Sequence, residues 1–388
     1  LNYNLIQTLH LMDPLAHTLF GATLAEAGLK RKTTLATATL IIGANIPDID
    51  AIAMFVSSDY ALLMRRGWTH GILALFIWPF LLTGMMLGID HLLHRWKTHR
   101  NRGNQDLPMK PAMLLGIAFL AVWSHPLLDL LNTYGIRLLM PFSGTWFYGD
   151  ILFIIDPWFW LLAGTGVVLA RSESWAGITG WIVLGTVVTA LITTADIVPF
   201  ALKVLWLTGL AGMVVVRWSG WHRGATQSIA LTLLAALVLY VAFMFTGSRL
   251  TANHARAHLA EEGIIIKQVM ANPLPARLFL RTGIAASESH YYRFRVNWMR
   301  SESFELSGDP IPIEAPNQIA EAALNSPDIR GLRNWMRFPF YEVNRLDDGW
   351  QVIIRDLRYV HPEQETAVGI GIAVIELDDE LQVRSVHQ

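Results

Sequence analysis

Residues 111–131 read PAMLLGIAFLAVWSHPLLDLL. The stretch carries no charge until its last third, and its length suits a helix crossing the ~30 Å hydrocarbon core of a bilayer. Yet it closes on His125 and Asp129. Ionisable residues inside an apolar span are costly and point to function. Four positions apart on a helix, the two side chains share one face and can reach a single cation.

Similar apolar stretches recur on both sides of this one, at residues 33–56, 68–92, 151–170, 176–196, 197–216 and 228–246. Together they predict about seven spans. The first is broken by Asn45-Ile46-Pro47-Asp48-Ile49-Asp50 and should span only up to that point. A shorter stretch, Pro14 to Gly28, predicts a helix dipping into the bilayer. The composition agrees: of 388 residues, 53% are hydrophobic and 16% charged, against about 25% charged in soluble domains. A net charge of −1 provides no basic field for nucleic acid. Cysteine is absent, which excludes disulfides and thiolate ligands and leaves His and carboxylates to hold any metal. The natural start is expected at Met12, which opens Met-Asp-Pro-Leu-Ala-His-Thr, because Leu1 to Leu11 look unlike the rest; that stretch also lacks the basic segment and cleavage site of a signal peptide.

Lys and Arg orient the spans through the positive-inside rule. The loop from Arg95 to Lys110 contains Arg95, Lys97, Arg100, Arg102 and Lys110 against Asp106, and is expected in the cytoplasm. Lys30-Arg31-Lys32 and the segment Arg217 to Arg223 fall on the same side. Arg65 and Arg66 break the rule by falling outside.

After Arg249 the spans stop and charges become frequent. Arg293 to Trp298, Trp350 to Arg355 and Ile370 to Leu377 alternate at strand period, and Asn317 to Leu324 reads as a short helix. The fold class expected is therefore an α-helical polytopic membrane domain, residues 12–247, followed by a β-rich soluble domain, residues 250–388. With seven spans, that second domain lies outside the cytoplasmic membrane.

This orientation, set by Lys and Arg alone, brings His17, Asp48, Asp50, His70, His125 and Asp129 to the outer ends of their elements. These six are the expected ligands of a divalent metal, one or two ions, with zinc the leading choice. Of Asp48 and Asp50, one can bind metal while the other orients a His or activates water. Arg65, Arg66 and Arg137 fall near the same end, either as snorkelling side chains or as ligands for substrate phosphate. Asp156, just before Pro157, is read as a helix cap or a further ligand, with capping favoured.

Met12-Asp13-Pro14-Leu15-Ala16-His17-Thr18, Pro47-Asp48-Ile49-Asp50, Arg66-Gly67-Trp68-Thr69-His70, Ser124-His125-Pro126-Leu127-Leu128-Asp129 and Asn132-Thr133-Tyr134-Gly135 together resemble the YdjM-like family of membrane-bound metal-dependent hydrolases, often described as LexA-regulated inner-membrane proteins. The order of ligands is also similar to that of zinc-dependent phospholipases C and P1-type nucleases. That likeness implies His17 and Asp129 on one ion, Asp48 or Asp50 with His70 and His125 on another, and Asp129 bridging. The second His-x-x-x-Glu pair of those enzymes has no clear counterpart here. Neither resemblance reaches the last third.

The expected function is hydrolysis of a phosphoester, lipid-linked in the leading version, by metal-activated water at the outer face of the inner membrane. Asp48 or Asp50 is the expected base, and membrane lipid and a phosphoester substrate are the expected partners. The alternative is a non-enzymatic transporter or metal-handling protein, but a pathway needs ionisable residues at several depths. A purely structural anchor for the β-rich domain would need no His and Asp cluster.

Overall fold

The computed structural model describes residues 14–98, 107–360 and 369–388. Met12, Arg100, Arg102 and Asp106 lie outside the described residues. The helical half comprises α1 (Pro14–Glu26), α2 (Ala36–Gly43), α3 (Ser58–Met64), α4 (Ile72–Thr98), α5 (Pro111–Asp129), α6 (Pro157–Arg171), α7 (Trp175–Thr194), α8 (Phe200–Ser219) and α9 (Thr226–Glu261). Five described helices are long and apolar enough to cross a membrane: residues 72–96 of α4, and all of α5, α7, α8 and α9. A sixth candidate is α2 together with the 3-10 segment Ile46–Phe55, bent by 43° at the Asn45 break. The stretch expected to span at residues 151–170 is helical only from Pro157, and α6 has 15 residues.

The two ends of the bundle differ in character. At one end Glu26 closes α1, bonded to Lys30 and, at 2.7 Å, to Arg171 at the end of α6. Arg31 reaches Gln227 near the start of α9, and Arg217 of α8 bonds Ser172. At the other end lie the start of α1, the bent 46–55 segment, the start of α4 and the end of α5. Between them α1 packs against α2 and α6. A Cβ on Gly21 would fall 2.7 Å from the Leu40 carbonyl, so glycine is what lets α1 and α2 approach this closely.

Helix α9 runs unbroken past residue 246 to Glu261, through the position where the sequence reading divides the chain. Its last turns pack Ala255 and Leu259 against Ala271, Ala285 and Phe294 of the first sheet. That sheet runs β1 (Gln268–Pro273), β2 (Leu280–Ala286), β3 (His290–Asn297) and β4 (Phe304–Leu306), with β5 (Ile311–Pro312) also pairing β3. A second sheet follows in chain order: β6 (Pro339–Leu346), β7 (Gly349–Asp356), β8 (Ile372–Leu377) and β9 (Val383–His387), all antiparallel. The expected strands and the short helix, α10 (Gln318–Leu324) capped by Asn317, all form.

The sheet region sits on the end of the bundle away from the Glu26 cluster. The short helix α11 (Arg330–Trp335) has its first amides capped by Asp59 of α3, with Gly331 and Leu332 each donating at 2.9 Å. Leu62 and Tyr134 of the helical half share a core with Leu332, Trp335 and Ile354.

Candidate metal centre

Each element delivers its polar side chain for a local reason. On α5, His125 and Asp129 share a face, as four-residue spacing requires, and both are buried. Before α4, the loop Arg66-Gly67-Trp68-Thr69-His70 wraps Asp50. The Arg66 amide donates to Asp50 Oδ2 at 2.9 Å, the Thr69 hydroxyl to the same oxygen at 2.8 Å, and His70 Nδ1 lies 3.2 Å away. A Cβ on Gly67 would meet the Arg137 guanidinium at 2.6 Å, so a larger residue there would push Arg137 aside. Asp48, two residues before Asp50, points to the other side of His70.

The result is a group of four ligand atoms from Asp48, His70, His125 and Asp129, all within 4.8 Å of one another. His70 Nε2 lies 3.1 Å from His125 Nε2, 3.3 Å from Asp129 Oδ2 and 3.7 Å from Asp48 Oδ1. His125 Nε2 lies 3.4 Å from Asp129 Oδ2 and 3.6 Å from Asp48 Oδ1. Four ligands about 2.0–2.1 Å from a tetrahedral ion are separated by roughly 3.3–3.4 Å.

The hydrogen bonds behind the ligands set their tautomers. His125 Nδ1 is 2.6 Å from the Ala44 carbonyl, which can only accept, so Nδ1 carries a proton and Nε2 is the ring atom left for a ligand. His70 Nδ1 faces the Asp50 carboxylate and the Thr69 oxygen, and its Nε2 is left for a ligand in the same way. In their neutral forms the two imidazoles thus turn their Nε2 lone pairs toward the two carboxylates and toward each other. Asp48 Oδ1, Asp48 Oδ2 and Asp129 Oδ2 are buried without a hydrogen-bond partner, and buried polar atoms are rarely left so. A divalent cation held by this group would satisfy Asp48 Oδ1 and Asp129 Oδ2 at once. At His70, burial opposes a positive charge, but the charge of Asp50 and hydrogen bonds with Asp129 and Asp50 outweigh it and raise its pKa.

Two of the six expected ligands stand outside this group. Asp50 holds His70 from behind. His17 Nε2 contacts the other Asp129 oxygen, Oδ1, at 3.3 Å, and its ring stacks on His125 at 3.9 Å. The phospholipase likeness implies Asp129 bridging between His17 and the set of His70 and His125, and Asp129 does face both sides, with Oδ1 toward His17 and Oδ2 toward His70 and His125.

The arginines expected at substrate lie inside the protein. Arg66 is 1% exposed and its Nη2 bonds Asp129 Oδ1 at 2.8 Å. Arg137 donates to the carbonyls of Leu63 and Arg65, beneath the Trp146 ring. Arg65 Nη2 is 3.6 Å from Asp48 Oδ1. Arg66 is held by Asn132-Thr133-Tyr134-Gly135: Asn132 Oδ1 and the Gly135 carbonyl accept from it, and the Tyr134 ring lies 4.8 Å from its guanidinium. Asp156 caps α6 through the Phe159 amide and accepts from the Tyr240 hydroxyl at 2.7 Å. A cavity of roughly 40 Å³, room for a few waters, adjoins the centre and is lined by His17, Arg66, Asp129, Asn132, Leu152 and Phe153 among others.

Residues 12–200 match the family described as YdjM inner membrane protein. The matched stretch contains every ligand in the group and none of the sheet region. No curated protein and no solved structure matches the chain.

Proposed function

We propose that this chain, whose residues 12–200 belong to the YdjM inner membrane protein family, is a metal-dependent hydrolase of phosphoesters working at the outer boundary of the membrane. The observation that carries the reading is the set of four converging ligand atoms with unpartnered carboxylate oxygens among them. Two imidazoles and two carboxylates suit zinc, with manganese or iron as further candidates. Bound there, such an ion supplies Lewis acidity and lowers the pKa of water.

The chain's own residues supply positioning and proton transfer. Asp50, Ala44 and Arg66 hold His70, His125 and Asp129 in place. Asp48 has a side chain 13% exposed, more than the other three ligands, so it faces the open edge and is the candidate base. Arg65 beside it is the candidate phosphate contact. Exposed Ile49, Ile52 and Phe55 flank that edge, which favours a substrate carried in lipid.

For topology we propose seven crossings, counting the bent pair and α6. Asp156 at the start of α6 lines the cavity beside the centre, and Arg171 at its end pairs with Glu26 at the basic end. The Glu26 end is then cytoplasmic and the sheet region extracytoplasmic.

A screen of lipid-borne and soluble phosphoesters with zinc-loaded protein tests the activity. Turnover that disappears in His70→Ala is expected. Absence of turnover on every phosphoester by a protein that holds its metal would overturn the hydrolase reading.

A further inference from the structure

We infer that the centre takes one metal ion and that Arg66 stands where a second would bind. The inference rests on the metal reading above and goes beyond it in fixing the number of ions and the role of this arginine. A second ion would need Asp129 Oδ1 and His17 Nε2, the only ligand pair among the described residues that adjoins the group and shares a carboxylate with it. Those two atoms are 3.3 Å apart, but Oδ1 already receives Arg66 Nη2 at 2.8 Å. Guanidinium keeps its charge at any working pH, so a divalent ion added there would meet a fixed positive charge at contact distance.

Arg66 is also held so that it cannot swing away. Its Nη1 lies within hydrogen-bond reach of three oxygens: the Asp129 carbonyl at 3.3 Å, Asn132 Oδ1 at 2.8 Å and the Gly135 carbonyl at 3.2 Å. Its own backbone sits in the left-handed region at φ 50, which a non-glycine residue adopts only when its surroundings impose it. The amide so turned is the one that donates to Asp50. One residue therefore braces the carboxylate behind His70, neutralises one oxygen of Asp129 and leaves the other, unpartnered Oδ2 to the metal. Arg66 is a positioning residue.

The test is the molar ratio of zinc to purified full-length chain, by elemental mass spectrometry after saturation with zinc and removal of loose metal. Wild-type protein and Arg66→Lys are expected to hold one ion per chain. Arg66→Gln, which keeps donor groups but drops the charge, is expected to hold more than one, because His17 and Asp129 Oδ1 are then available. Two ions in wild type would overturn the inference while leaving the metal reading intact. No ion in wild type would overturn the metal reading first. A ratio of one in both variants would show that the charge of Arg66 does not exclude the second ion. If Arg66→Gln loses its first ion as well, the wild-type ratio decides.

Discussion

The indole N–H of Trp335 donates to the backbone carbonyl of Tyr134 at 3.0 Å, joining residues 201 positions apart. Tyr134 packs under Arg66, and Arg66 bonds Asp129, so two side chains separate the sheet region from a candidate metal ligand. Arg358 strengthens the same joint by donating to the carbonyls of Thr133 and Trp335. Burial alone would lower the Arg358 pKa, but the adjacent Asp356 outweighs it and raises it, so the charge there is permanent. The sheet region thus supplies no ligand among the described residues yet covers the loop that braces the centre; His361 lies outside those residues.

Trp335→Phe keeps a ring but leaves the Tyr134 carbonyl without its donor. An unsatisfied buried acceptor costs about 1–3 kcal/mol. The thermal midpoint in detergent should fall while zinc content stays unchanged. An unaltered midpoint would show that this joint contributes nothing to stability.

Asp50 is expected to act through His70. Asp50→Ala should weaken zinc binding by roughly 10–100-fold, the usual effect of losing a residue that orients a ligand, while Asp48→Ala should weaken it further. Chelator competition on the two variants checks the order. Equal losses would make Asp50 a ligand itself.

The sequence showed the ligands better than it showed what holds them. His125 and Asp129 were legible because helix geometry alone puts residues four apart on one face. The Asp156 cap was legible from the proline that follows it, and the strands of the last third from their alternation. Arg66 and Arg137 were not. Their breach of the positive-inside rule was visible, but their partners, Asp129 and the Leu63 carbonyl, lie 63 and 74 positions away. Only tertiary structure turns two outward charges into buried braces. Nothing in the sequence pattern linked Trp335 or Arg358 to the centre, since neither belongs to a periodic or spaced motif.

Asp156→Ala removes a helix cap and the partner of Tyr240. A cost of about 0.5–2 kcal/mol is expected from the cap, seen as a lower thermal midpoint with full zinc content. Zinc lost from a variant that stays monodisperse would instead make Asp156 part of the metal centre.

Reporter fusions at Gly103, in the basic loop, and at Gln388 should report opposite sides of the membrane, the first cytoplasmic and the second outside. If both report one side, the count of seven crossings is wrong by one.

The most direct test of the central claim is the zinc content of purified wild-type protein beside His125→Ala and Asp129→Ala, with His94→Ala, outside the centre, as control. Near-equimolar metal in wild type and in the control, reduced at least tenfold in the other two at unchanged monodispersity, is the result expected. Equal metal in all four proteins would contradict the assignment of these side chains as ligands.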